Sequence, residues 1–166
     1  MIVASCSMHV TSCRITNHYA LMTCYRLHST EQRIGLMSKV PKSYRDLEIY
    51  QLSYELARKV HTMSLKLPQY ELYEEGSQVR RSSKSVPSCI AEGYGRRRYK
   101  AEFIKFLVYA QASCDETVVH LNFIKDSHGL KEVDLFLDLY KELGSKMSRF
   151  IQYVDREWRT GAIEDS

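Results

Sequence analysis

The sequence contains few of the residues that make tight turns. Seven glycines and three prolines occur among 166 residues, too few for the many turns of a β-sandwich or β-barrel. No run of 18 apolar residues occurs, so no membrane span and no membrane partner are predicted. A chain of this length can bury the core of one domain without disulfides or metal. These absences favour a single helical domain.

The cysteines lack the spacing of a zinc site or a disulfide framework. Five occur, an odd number, and no two of them form a Cys-x-x-Cys pair. Free thiols are typical of a reducing compartment. The sequence therefore predicts a cytoplasmic protein with free cysteines and no bound metal.

Residues 1–41 differ in composition from the rest of the chain. They hold three of the six histidines and three of the five cysteines, without helical or strand periodicity. Their short apolar opening has no basic residues before it, which argues against a secretory signal. We predict a flexible extension at 1–43, with a functional start near Met37. The predicted domain then covers 44–159, and 160–166 form a frayed tail.

Four later segments repeat apolar residues every three or four positions, the period of an amphipathic helix. The first has Ser43 and Asp46 as candidate caps and ends at Pro68. The others cover about 72–92, 100–127 and 131–158. Four such helices joined by short polar turns predict an all-α fold, an antiparallel up-down-up-down four-helix bundle.

Pro87 lies inside the second helical segment. A proline there removes one backbone donor and clashes with the preceding turn, which costs about 3 kcal/mol in a regular helix. The segment is therefore predicted either to stop near Ser85 or to kink there. Nearby serines could bond the freed backbone groups; they are Ser82, Ser83, Ser85 and Ser88. Gly93 and Gly95 are predicted to supply the helix C-terminus.

Positive charge is concentrated between residues 76 and 105. Eight basic side chains there oppose only Glu92 and Glu102: Arg80, Arg81, Lys84, Arg96, Arg97, Arg98, Lys100 and Lys105. Several of them open the third helix, where the helix dipole does not favour cations. We predict that the eight contact nucleic-acid phosphates. A solvated corner with some arginines paired to glutamates is the alternative.

Tyrosine is abundant, with 12 residues. Two interpretations stay open for Tyr50, Tyr54, Tyr94 and Tyr99. Their rings either lie at a subunit contact or pack at the edge of the core with hydrated hydroxyls.

No residue pattern indicates a catalytic centre. Gly93-x-Gly95 lacks the third glycine of a dinucleotide-binding loop and follows a helix instead of a strand. Neither Ser-x-x-Lys at Lys84 nor His-Glu-x-x-His occurs. Glu92 is expected to pair with a nearby arginine or with turn backbone, not to act as an acid or metal ligand. The sequence thus predicts a protein that is not an enzyme and has no cofactor.

A series of short motifs carries a family resemblance. In order over 44–130 they are Asp46-Leu47-Glu48-Ile49-Tyr50-Gln51, Ser77-Gln78-Val79-Arg80-Arg81-Ser82, Ser85-Val86-Pro87-Ser88-Cys89-Ile90-Ala91-Glu92-Gly93-Tyr94-Gly95-Arg96 and Glu102-Phe103-Ile104-Lys105-Phe106-Leu107. The chain resembles the bacterial four-helix-bundle proteins encoded in intervening sequences of 23S ribosomal RNA genes. Cys89 is a departure, because the family usually has Asn there.

The resemblance implies a fold more firmly than a function. The family is similar to the accessory variability protein of diversity-generating retroelements, a barrel-shaped homopentamer that binds nucleic acid and a reverse transcriptase. The resemblance therefore implies a homo-oligomer, pentameric by resemblance, and no enzymatic activity follows from it. The predicted function is binding of structured RNA or DNA through the basic cluster. A scaffold that docks a protein partner without nucleic acid is the alternative.

Overall fold

The computed structural model describes residues 41–158. The predicted tail at 160–166, and the predicted extension except for its last three residues, lie outside the described residues. A 3-10 helix, Tyr44–Asp46, precedes four α-helices. They are α1 (Glu48–Ser64), α2 (Glu75–Gly95), α3 (Lys100–His128) and α4 (Glu132–Glu157). Between 41 and 158 the chain forms no strand, which confirms the predicted all-α class.

The helices pack in chain order around one core. Each helix contacts the next one along the chain, and α1 also contacts α4. Because the connections are short, consecutive helices run antiparallel, in the predicted up-down-up-down order. The core consists of apolar side chains from all four helices, including Leu56, Val60, Val79, Val86, Ile90, Phe103, Leu107, Leu121, Ile124, Leu143 and Met147.

Ser43 and Asp46 cap the 3-10 helix that precedes α1. The Asp46 carboxylate accepts the backbone N–H of Ser43 at 2.9 Å, while the Ser43 hydroxyl accepts that of Arg45 at 3.3 Å. Both were predicted to cap the first long helix, but they form a capping box at the start of the 3-10 helix, and α1 itself begins after Leu47 without a side-chain cap. At the far end of α3, Gly129 has a φ of 61°, the left-handed conformation of a C-terminal cap.

Pro87 does not end its helix. Helix α2 is continuous from Glu75 to Gly95, so of the two predicted alternatives, a stop near Ser85 or a kink there, the stop is wrong. Three of the neighbouring serines donate to carbonyls three or four residues back: Ser82 to Val79, Ser83 to Arg80 and Ser88 to Lys84. Pro87 itself is buried together with Val86 and Ile90. Burial of this apolar face offsets the backbone cost of the proline.

Gly93 has a different role from the predicted one. It lies inside α2, and Gly129 is the one glycine between 41 and 158 with a positive φ. A Cβ at Gly93 would lie 2.8 Å from the Cβ of Phe106 on α3. Glycine is therefore needed at this position because α2 and α3 approach closely, whereas Gly95 ends the helix with open space around it.

Candidate nucleic-acid interface

The continuous α2 separates the eight basic residues that the sequence grouped together. Arg80 and Arg96 are sixteen positions apart, which at 1.5 Å per residue is about 24 Å along the helix axis. Arg81 and Lys84 lie on the exposed face of α2. The remaining five flank the connection between α2 and α3 and are called the basic turn here: Arg96, Arg97, Arg98, Lys100 and Lys105.

Arg80 uses its guanidinium inside the fold. It donates to the Ser64 hydroxyl at 3.1 Å and to the Leu72 carbonyl at 2.7 Å, and it is half-buried. These two bonds tie α2 to the end of α1 and to the α1–α2 connection. Gly76 leaves room for this arrangement, because a Cβ there would lie 3.1 Å from Arg80 Nη1. Arg80 is therefore placed for a structural contact and not for an exposed phosphate.

Arg96 is held by two carboxylates and an aromatic ring. It pairs with Glu92 at 3.1 Å and with Glu102 at 3.7 Å. Its guanidinium carbon lies 4.6 Å from the centroid of the Phe106 ring, within the range of a cation–π contact. The expected pairing of Glu92 with an arginine is confirmed. Arg96 stays half-exposed, so its charge still reaches the surface.

Arg97 and Arg98 differ in how far the fold restrains them. The Arg97 guanidinium lies 4.2 Å from the centroid of the Tyr94 ring and donates to the Tyr94 carbonyl at 3.1 Å. The Tyr94 hydroxyl in turn donates to the Pro41 carbonyl. Arg98 is exposed and has no hydrogen bond or ion pair with any residue of 41–158. Arg98 is thus a free cation at the tip of the turn.

The two lysines of the basic turn lie at the start of α3. Lys100 donates to the Asp155 carbonyl near the end of α4, and Lys105 pairs with Glu102 at 3.7 Å. The Lys105–Glu102 pair is exposed, and such pairs contribute little to stability. Two cations of the basic turn, Arg96 and Lys105, are thus paired with carboxylates. The other three, Arg97, Arg98 and Lys100, have no carboxylate partner within 41–158.

Charge is distributed unevenly along the bundle axis. The basic turn sets five cations against Glu92 and Glu102. At the other end, the segments 61–78 and 122–138 contain three basic residues, Lys66, Lys125 and Lys131. They also contain seven acidic ones: Glu71, Glu74, Glu75, Asp126, Glu132, Asp134 and Asp138. The bundle therefore has one positive end and one negative end, which favours approach of a polyanion to the basic turn.

The tyrosines divide between core and surface. Tyr94 is 4% exposed and packs edge-on against Phe103, with ring centroids 6.2 Å apart. Tyr94 therefore belongs to the core and is unavailable for a subunit contact. Tyr99 and Tyr54 are more than half exposed, and both interpretations stay open for them.

A groove between α1 and α2 was missed in the sequence analysis. It is open to solvent and has a volume of about 530 Å³, which is within the usual range of ligand sites. Its wall on α1 is formed by Tyr50, Tyr54, Ala57, Arg58, His61 and Thr62, and its wall on α2 by Lys84, Pro87, Ser88 and Ala91. The spacing of Tyr50, Tyr54, Arg58 and His61 along one helix face was the available signal, but α2 supplies the second wall.

Within 41–158 the side chains provide neither a metal site nor a membrane-spanning helix. Within 41–158, no group of three or more His, Cys, Asp or Glu side chains could hold a metal ion. Two histidines contact glutamates instead, His120 with Glu75 at 2.8 Å and His128 with Glu71 at 3.2 Å. None of the helices described has the length and apolar character needed to cross a bilayer.

Fold and charge together define a small four-helix bundle with a basic end. The family of the 23S rRNA-intervening sequence protein matches residues 45–149, more than half of the chain. The chain belongs to this family, as its motifs indicated. No curated protein matches the chain.

Proposed function

We propose that this protein binds the phosphate backbone of structured RNA or DNA through its basic turn and is not an enzyme. The observation that carries the proposal is the free, exposed Arg98 at the tip of a turn with five cations. Cations presented in this way bind phosphates by releasing counterions, and they do so without reading sequence. The family's name connects it with ribosomal RNA genes, and this name is the only support that family membership gives.

The basic residues would contribute unequally to this binding. Arg98 is unrestrained, whereas Arg96 and Arg97 are oriented by Phe106 and Tyr94. Arg81 and Lys84 are exposed on α2 and have no ion pair within the described part of the chain, so they extend the positive surface toward the middle of the bundle. Arg80 is expected to contribute least, because the fold uses its donors.

The test is a salt titration of binding to a labelled RNA hairpin and to duplex DNA, read by fluorescence anisotropy. Arg98→Gln should lower the slope of log affinity against log salt by about 0.7–0.9, the effect of one phosphate contact. Lys131→Gln is the matched control, because Lys131 is exposed, unpaired within 41–158 and at the acidic end. Salt-insensitive binding, or equal losses in both variants, would refute the proposal.

We also propose that the protein forms a homo-oligomer, pentameric by resemblance, in the cytoplasm. The support for association lies on the outward face of α3, where Val108, Val119 and Phe123 are about half exposed. These residues and the exposed Ala112 follow one stripe of the helix. An apolar stripe of this kind favours an interface. Cys89 and Cys114 are free thiols, in keeping with a reducing compartment.

The same α3 face supports the second candidate function, docking of a protein partner without nucleic acid. The two candidate functions predict different results when bound partners are treated with nuclease. A partner that stays bound after digestion, together with no affinity for either nucleic acid, would favour the scaffold role. Loss of every partner on digestion would favour nucleic-acid binding.

A further inference from the structure

The groove between α1 and α2 combines an aromatic face with unpaired positive charge. Tyr50 and Tyr54 lie one helical turn apart, with ring centroids 6.0 Å apart and ring planes 22° from parallel. Tyr54 is 53% exposed. An exposed, oriented tyrosine ring offers a stacking surface for a planar base. The groove therefore has room and a flat wall for an aromatic ligand.

Two cations flank this aromatic wall. Lys84 is exposed on the α2 side and has no ion pair with any residue between 41 and 158. Arg58 pairs through its Nε with Glu55 at 3.2 Å, and its side chain is 67% exposed. The terminal nitrogens of Arg58 are left available as donors, because its bond to Glu55 uses Nε alone. A ligand with a phosphate could be held between the two helices.

Two polar groups of residues that line the groove have unused hydrogen-bonding capacity. The Nδ1 atom of His61 is buried and has no hydrogen-bond partner in the described structure. Buried polar atoms in folded proteins usually have a partner. The Ser88 hydroxyl donates to the Lys84 carbonyl at 2.9 Å, so its oxygen can still accept a bond. Because His61 Nδ1 is covered by the protein, only the exposed Ser88 hydroxyl is open to the polar edge of a base.

We propose that this groove binds one nucleotide unit, with the base on Tyr54 and the phosphate between Arg58 and Lys84. The nucleotide is either a free mononucleotide or an unpaired nucleotide of a bound strand. Only the second source rests on the proposed function. Helix α2 leads from the groove toward Arg96, five residues or about 7.5 Å beyond Ala91, so a strand on the basic turn could place a nucleotide there.

The first experiment measures binding of adenosine 5′-monophosphate to the full chain by ligand-detected NMR. Tyr54→Ala should weaken binding by about fivefold to 150-fold, because stacking of a base on an aromatic ring contributes about 1–3 kcal/mol. Lys84→Gln should weaken the monophosphate but leave adenosine unaffected. Tyr73→Ala is the control, since Tyr73 is 79% exposed and lies outside the groove. Circular dichroism melting shows whether each variant is folded.

Three outcomes would overturn the proposal. These are no detectable binding of the monophosphate, equal binding by wild type and Tyr54→Ala, or a change in particle mass of Tyr54→Ala in light scattering. The last outcome would assign the groove to a contact between copies of the chain. A competition experiment decides between the two sources of the nucleotide. If the ligand is an unpaired nucleotide of a bound strand, a bulged RNA hairpin should displace the monophosphate and a fully paired duplex should not.

The groove proposal and the proposed function fail separately. If the monophosphate does not bind but Arg98→Gln still lowers the salt slope of hairpin binding, the groove proposal alone is wrong. If the monophosphate binds through Tyr54 while hairpin RNA and duplex DNA do not bind at all, the basic turn loses its proposed role and the groove is a mononucleotide site.

Discussion

Replacement of Gly93 by alanine tests whether close helix packing explains this glycine. The new Cβ would lie 2.8 Å from Phe106 Cβ and 3.3 Å from Phe103 Cδ2. Phe106 Cβ is bonded directly to the α3 backbone, so rotation of the Phe106 side chain cannot remove the contact. Relief requires α2 and α3 to move apart, and those two helices form the most extensive packing in the bundle.

The magnitude follows from two opposing effects. Alanine is better than glycine in a helix by about 0.8–1 kcal/mol, whereas overpacking of a tight interface costs about 1–3 kcal/mol. Gly93→Ala is therefore expected to lose about 0–2 kcal/mol of stability. Gly95→Ala is the control, because a Cβ there meets nothing within 4 Å. It should gain the helix-propensity difference of about 0.8–1 kcal/mol, so the two variants should differ by the cost of overpacking, about 1–3 kcal/mol.

Urea unfolding followed by tryptophan fluorescence would measure this difference. The sequence has one tryptophan, Trp158, whose ring centroid lies 5.3 Å from that of the buried Phe103. Its emission therefore reports loss of packing where α3 and α4 meet. Should Gly93→Ala prove as stable as Gly95→Ala, the close approach of α2 and α3 at this point would be refuted.

Three other predictions concern residues outside the basic turn and the groove. Arg80→Ala should lower the free energy of unfolding by about 1–3 kcal/mol, because Ser64 and the Leu72 carbonyl lose a charged partner; its salt slope for RNA should match wild type, and a reduced slope would contradict the structural role. Burial raises the pKa of the Cys114 thiol to about 12, so peptide mapping after alkylation at pH 8 should find Cys114 modified far more slowly than Cys89. Since this pKa lies above the ordinary value of 9.0, the folded state keeps a proton that the unfolded chain loses. The resulting stabilisation is intact below about pH 9 and declines as the pH rises toward 12, and a rising stability over that interval would contradict it. Phe123→Glu on the outward face of α3 should lower the particle mass in light scattering while leaving the helical circular dichroism unchanged, and an unchanged mass would exclude this face as the interface.

Local rules predicted the helices well and the ends of α1 and α2 less well. The third and fourth helices differ from their predicted limits by one residue at most, because a long apolar period leaves little choice. Helix α2 was predicted over 72–92 and extends over 75–95, since Gly93 serves packing and not termination. Helix α1 ends at Ser64, before Pro68. Backbone propensity alone does not predict that contact with another helix requires a glycine inside α2.

In the candidate site, the sequence predicted a contact between residues close together in the chain but not a contact with another helix. The pairing of Glu92 with Arg96 joins residues four apart on one helix, so spacing alone was sufficient to expect it. The use of Arg80 by Ser64 and Leu72 involves the end of a different helix, and no spacing within α2 indicates it. A count of basic residues therefore treated Arg80 and Arg98 as equivalent, although the fold engages one and leaves the other free.

The sequence by itself determined the number of helices, their antiparallel order, the family and the segment that carries positive charge. Each of these depends on residues close together along the chain, where periodicity and capping act. The tertiary structure decided that α2 continues through Pro87, that Gly93 accommodates α3 and that Tyr54 and Lys84 share a groove. These features depend on which faces of separate helices meet, and that is fixed when the whole core packs together.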